Sequence, residues 1–144
     1  MLSNLFLGFF TMSVCLLMQS VLLIAAMHYY RRHQYLVDSP SLGASLIVVN
    51  SVLGLLVLGN LAQVAIWALV FQWLGEFERF ADAFYHSAVN FATLGYGDIV
   101  MSDSRKLLGP IEAINGVLMI GISTAALMAA FQDAIRKTIK ARQH

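Results

Sequence analysis

The residues whose types and spacing offer chemistry are Thr93-Leu94-Gly95-Tyr96-Gly97-Asp98. A cation stripped of water needs a cage of oxygens, and a backbone supplies one only when successive carbonyls point the same way. Ordinary L-residues resist that geometry. Gly95 and Gly97, alternating with larger residues, let the chain take positive φ at the glycines without steric penalty, so that consecutive carbonyls can line one axis. Asp98 closes the segment; its expected work is to hold the loop by hydrogen bonds, with attraction of cations as the lesser role. No Ser-His-Asp arrangement, phosphate loop or metal-ligand cluster accompanies these residues, so no enzyme chemistry is expected.

The elements that must position this segment belong in a bilayer. Of the 144 residues 59% are apolar and 12% charged, more apolar surface than a soluble domain of this size can hide. The net charge of +1, with basic residues at segment ends rather than on one face, gives no sign of a nucleic-acid partner. Leu5 to about Tyr29 is free of charge and, at 1.5 Å per residue, spans about 37 Å. The segment before it lacks the basic start of a secretory signal, so a retained helix is expected. Arg31-Arg32-His33 end it, a polar connection runs from Gln34 to Ser39, and Ser39-Pro40 reads as cap and first turn of a second helix reaching about Leu74. That helix would be about 50 Å long, hence tilted or projecting into water. Its Asn50, Asn60, Gln63 and glycines suit packing against other helices.

From Glu76 the composition turns polar, and Phe80 to Phe91 reads as a short amphipathic helix that cannot cross a bilayer and must turn back. The glycine-rich segment supplies the turn. Ile99 to Arg105 returns to the surface, a third spanning helix covers about Leu107 to Phe131 with Pro110 in its first turn or at a mild kink, and the helix is expected to continue as a basic amphipathic tail from Gln132 to His144. The expected architecture is all-α: a first membrane helix within 1–33, a second at 39–74, a re-entrant helix at 80–91, a loop at 93–98, a third helix at 107–131 and the tail at 132–144.

Thr93 to Asp98 resembles the potassium-channel selectivity filter, with Leu94 in place of valine. The stretch Ala83 to Ala92 resembles a channel pore helix, and Gly116 with Gly121 to Leu127 resembles the inner helix of small bacterial channels. The resemblance implies that carbonyls of Thr93, Leu94, Gly95 and Tyr96, with the Thr93 hydroxyl, replace the water around K+. The Tyr96 ring then braces the filter from behind. It also implies a homotetramer, each chain supplying a quarter of the carbonyl ring, with inner helices central, the first helix peripheral and no cofactor beyond the permeant K+ ions. Gly97, Asp98, Tyr85, His86 and Glu112 are expected filter supports, Glu112 backing the pore helix through His86, Asn90 or Tyr85. Two positions depart from the family pattern: Ala92 where a second threonine is common, and Asn90 where a small hydroxyl residue is common.

Helical spacing from Gly116 brings Val117, Ile120, Thr124, Met128 and Gln132 to one face, expected to line a cavity. Gly116 itself reads equally as a bend point or as a site of close helix approach. His86 reads as a hydrogen-bonded structural residue before a proton sensor, and Cys15 as packing. Six basic residues (Arg31, Arg32, Arg136, Lys137, Lys140, Arg142) oppose three near the loop, which puts the N-terminus outside and the C-terminus in the cytoplasm. No arginine-repeat helix is present and the tail is short, so neither a voltage sensor nor a cytoplasmic ligand domain is expected. Anionic lipid is a candidate partner of the tail. The rival expectations are a potassium-uptake component, which would carry several degenerate loops, and a non-conducting scaffold or modulatory subunit, which an intact filter argues against.

Overall fold

The computed structural model describes residues 1–38 and 41–142, and among them every regular element is helical. Helix α1 covers Leu2–Arg32, α2 Gln34–Val37, α3 Leu42–Trp73, α4 Phe80–Phe91 and α5 Leu108–Arg142. Helices α1, α3 and α5 are each long and apolar enough to cross a membrane, while the 12 residues of α4 are not. Apolar residues surround all three long helices instead of forming a stripe, as expected where lipid and neighbouring helices replace water.

Several boundaries differ from the sequence expectation. The first helix is longer at both ends than Leu5–Tyr29. Part of the Gln34–Ser39 connection is itself helical, since Gln34–Val37 closes a turn with the Asp38 amide donating to the Gln34 carbonyl at 2.9 Å. The cap and first turn assigned to Ser39 and Pro40 fall outside the described residues, and α3 begins at Leu42. The third helix does run on into the tail: α5 continues to Arg142, because no glycine or proline follows Gly121 to stop it. Pro110 occupies the third position of α5, where its missing N–H costs no helical bond.

The chain divides into two compact units. One comprises Met1–Gln19 and Asn60–Ile120. Its core gathers Cys15, Val64, Trp67, Phe71, Phe91, Met101, Leu108, Ile111 and Met119, so the start of α1 shares an interior with the re-entrant helix. Polar contacts fix that start: Asn4 Nδ2 donates to the Ser104 carbonyl at 2.6 Å, Arg105 donates to Asn4 Oδ1 at 3.1 Å, and Gln63 Nε2 donates to Gln19 Oε1 at 2.8 Å. In apolar surroundings such amides are held because lipid offers them no partner.

The other unit comprises Ser20–Gly59 and Gly121–His144. Val37, Val48, Val49 and Ala134 form one apolar cluster in it, and Ala26, Val52 and Leu56 another. Ser45 and Thr138 share a buried hydroxyl pair at 2.7 Å, and the Tyr30 hydroxyl donates to Asp133 at 3.0 Å.

Candidate functional site

The site begins where α4 ends. The Ala92 amide closes the last helical turn on the Ala88 carbonyl, the Thr93 amide donates to Asn90 at 2.8 Å and the Leu94 amide to Val89 at 2.8 Å. Beyond that point the backbone leaves the helix and φ alternates in sign. Thr93 (+58°), Gly95 (+59°) and Gly97 (+72°) occupy the left-handed region, while Leu94 and Tyr96 between them do not. Alternation of this kind turns successive carbonyls toward one side of the segment, the condition for a carbonyl-lined axis. The two glycines take these angles freely, whereas Thr93 is β-branched and pays for its own.

Two ties hold the far end of the loop. The Tyr85 hydroxyl donates to Asp98 Oδ2 at 2.7 Å. This bond holds the Asp98 carboxyl below its usual range and raises the Tyr85 phenol above its own. One residue on, His86 Nδ1 donates to the Ile99 carbonyl at 2.8 Å, and its Nε2 accepts from Asn90 Nδ2 at 2.9 Å. Such bonding requires a neutral imidazole. Burial enforces it by lowering the His86 pKa, only partly countered by the Ile99 bond.

Glu112, fully buried on α5, accepts a second hydrogen bond from Asn90 Nδ2 at 3.3 Å. Ser87 Oγ contacts both the Glu112 carboxyl and the Val64 carbonyl, the latter at 2.7 Å. Glu112 therefore backs the re-entrant helix through Asn90 as expected and through Ser87, which the sequence reading did not single out. It reaches His86 through Asn90, and Tyr85 is not its partner. Asn90 is the joint of the network, since its amide carries two donors where a hydroxyl carries one. A further unforeseen contact is Glu76, which accepts from the Ser102 amide at 2.7 Å and the Ser102 hydroxyl at 2.8 Å, pinning the return segment.

Gly116 is buried beneath the end of α4. A Cβ there would stand 2.0 Å from the Phe91 carbonyl oxygen. The close-approach reading of this glycine thus has a direct structural basis, while α5 is assigned as continuous helix through it. Within the first unit Val117 and Ile120 are exposed; within the second, Thr124, Met128 and Gln132 are exposed while Ser123 is buried. The loop residues 93–98 are all exposed in the single chain, with Tyr96 at 65% largely uncovered by the described residues.

An ion channel family model matches residues 45–133, which include α4, the loop and most of α5. This chain belongs to the ion channel family. The channel chain is also 37% identical over 57 residues to potassium voltage-gated channel subfamily A member 2 from Oncorhynchus mykiss. That stretch is 39% of this chain and 12% of the relative, so the chain spans a small part of that relative's length. No solved structure matches the channel chain. Membership bears out, at the level of ion channels, the resemblance read from the sequence, and with three helices able to span it identifies a membrane protein.

Tyr85→Phe removes the donor to Asp98 without changing the ring, so conducting lifetimes should shorten in single-channel records. Because Tyr85 holds the Asp98 pKa down, the tie is intact above the ordinary carboxylate range and weakens as pH falls and Asp98 protonates. Wild-type lifetimes should therefore shorten at acid pH on the side of the membrane that the loop faces, and those of Tyr85→Phe should change much less. Glu112→Gln should lower the thermal stability of the protein, by about 1–3 kcal/mol for a disturbed buried hydrogen-bond set. Ion preference should be unchanged; abolished single-channel conductance with normal assembly would place Glu112 in the ion path instead.

Proposed function

We propose that this chain is a subunit of a potassium-selective channel, four copies of which surround one axis and pass K+ passively through the carbonyls of Thr93, Leu94, Gly95 and Tyr96. The observation that carries the reading is the alternation of φ along residues 93–97, anchored by Tyr85 to Asp98 and by His86 to Ile99. Exposure of the whole loop in one chain supports assembly, since a quarter of a cage binds nothing by itself. The C-terminal end of α4 meets the start of the loop, and a helix end of that sense carries about −0.5 elementary charge, which favours a cation there.

In this reading the N-terminus lies outside and the basic end of α5 in the cytoplasm, following the distribution of Arg and Lys. Val117, Ile120, Thr124, Met128 and Gln132 line the path below the filter. Neither a voltage sensor nor an enzymatic step is part of it. The test is flux into liposomes holding only the purified protein. Uptake of rubidium far above that of sodium is expected, while confirmed tetramers with no flux would instead indicate a non-conducting scaffold.

A further inference from the structure

Within the second unit, α1, α3 and α5 leave a cavity of about 470 Å³, inside the range of about 300–1,000 Å³ typical of small-molecule sites. Its wall is apolar and open because Ala26, Ala126, Ala129 and Ala130 stand where larger side chains would close it. Its rim is of a different character. Arg31 and Lys137 lie there beside Asp133, which accepts from Arg136 at 2.7 Å and pairs with Lys137 at 2.9 Å. Among the residues that line the cavity, Arg31 and Lys137 against Asp133 leave a net charge of +1, and the Arg31 side chain is exposed.

Depth argues for the occupant. Arg31 and Arg32 close the apolar run of α1, and Lys137 lies within the basic last turns of α5, so the rim sits at a membrane–water boundary while the cavity extends into the apolar span. A ligand matching both parts has an anionic head and a hydrocarbon chain. A soluble anion would leave the cavity unfilled, and a zwitterionic lipid would leave the cationic rim uncompensated. We propose that this cavity binds an acyl chain of an anionic membrane phospholipid, whose phosphate is held by Arg31 and Lys137. The first helix, which lies outside the filter-bearing segment, then supplies half of a lipid site. The inference is independent of which ion the filter passes, because its readout is bound lipid.

The experiment is mass spectrometry of the intact, detergent-extracted protein after exchange into mixed micelles of phosphatidylglycerol and phosphatidylcholine. Phosphatidylglycerol should be retained in preference. Arg31→Gln with Lys137→Gln should lower its retention about 25-fold, at about fivefold for each cationic side chain, while Arg79→Gln with Lys106→Gln should leave it unchanged. Ala130→Phe, which fills the cavity and keeps every charge, should lower it as strongly. Retention unaffected by Ala130→Phe would reduce the effect to surface charge and overturn the site. Equal retention of the two lipids in the unaltered protein would overturn it as well. As a measurement that needs no variant, a phosphatidylglycerol with a photoreactive chain should label residues 23–30 and 126–130; even labelling along the exposed faces of all three long helices would refute the proposal.

Discussion

Gly116→Ala should prevent assembly of the channel, whereas Gly121→Ala, five residues along the same helix, should not. At Gly116 the added methyl would meet the carbonyl oxygen, carbon and Cα of Phe91 at 2.0, 2.7 and 2.9 Å. All three are backbone atoms at the end of α4, so no rotamer relieves the overlap. Either α5 moves away or the start of the loop does, at a cost above the usual 1–3 kcal/mol of an overpacked core, about 3 kcal/mol or more per chain. At Gly121 nothing lies within 4 Å of the new methyl and φ is not positive, so the helix should gain about 0.5–1 kcal/mol. Thermal unfolding of the purified assembly and its yield by gel filtration measure both. The pair also decides between the two roles of Gly116. Normal assembly of Gly116→Ala with altered open probability would make the residue a hinge, and the packing account would be wrong.

The parts of this structure that were legible in the sequence are those fixed by residue type within a short window. Two glycines alternating with larger residues announce a backbone of alternating sign, and they adopt it at Gly95 and Gly97. Twelve amphipathic residues between charged edges announce α4, whose observed bounds coincide with those expected. Long uncharged runs announce three helices, and in the third Gln132 and Arg136 mark a change of solvent, not a break in the backbone.

What was not legible depends on the register of one helix against another, which no local pattern records. Ser87 faces Val64 and Glu112 only because α4 lies against both α3 and α5 at that height. For the same reason the pairing of Gln19 with Gln63, and the seat of Asn4 on the return segment, joined α1 to the filter-bearing unit unannounced. Asn90 appeared as a departure from the family pattern; with its two donors engaged by His86 and Glu112, it is the residue that this arrangement needs. The positive φ at Thr93 also escaped notice, since a β-branched residue is the least expected occupant of that region.

Gly95→Ala should abolish the proposed preference for potassium over sodium while leaving the chain able to fold. The Cβ introduced there meets nothing within 4 Å, so the substitution acts through backbone conformation and not through a clash. At φ +59° an L-residue costs about 1–2 kcal/mol, and in the proposed tetramer that cost is borne four times around one ring, about 4–8 kcal/mol in all. The cheaper course is for the peptide to turn to negative φ, which swings a carbonyl out of the cage and leaves each ion short of oxygens. Bi-ionic reversal potentials measure the outcome: with potassium opposite sodium, the wild type should reverse far from zero and Gly95→Ala close to it. Leu94→Val provides the control, because position 94 has no positive φ and contributes a carbonyl that any side chain leaves in place. Its reversal potential should match that of the wild type. If Gly95→Ala also matched, selectivity would not arise from the alternating backbone of residues 93–97, and the proposed carbonyl cage would have to be abandoned.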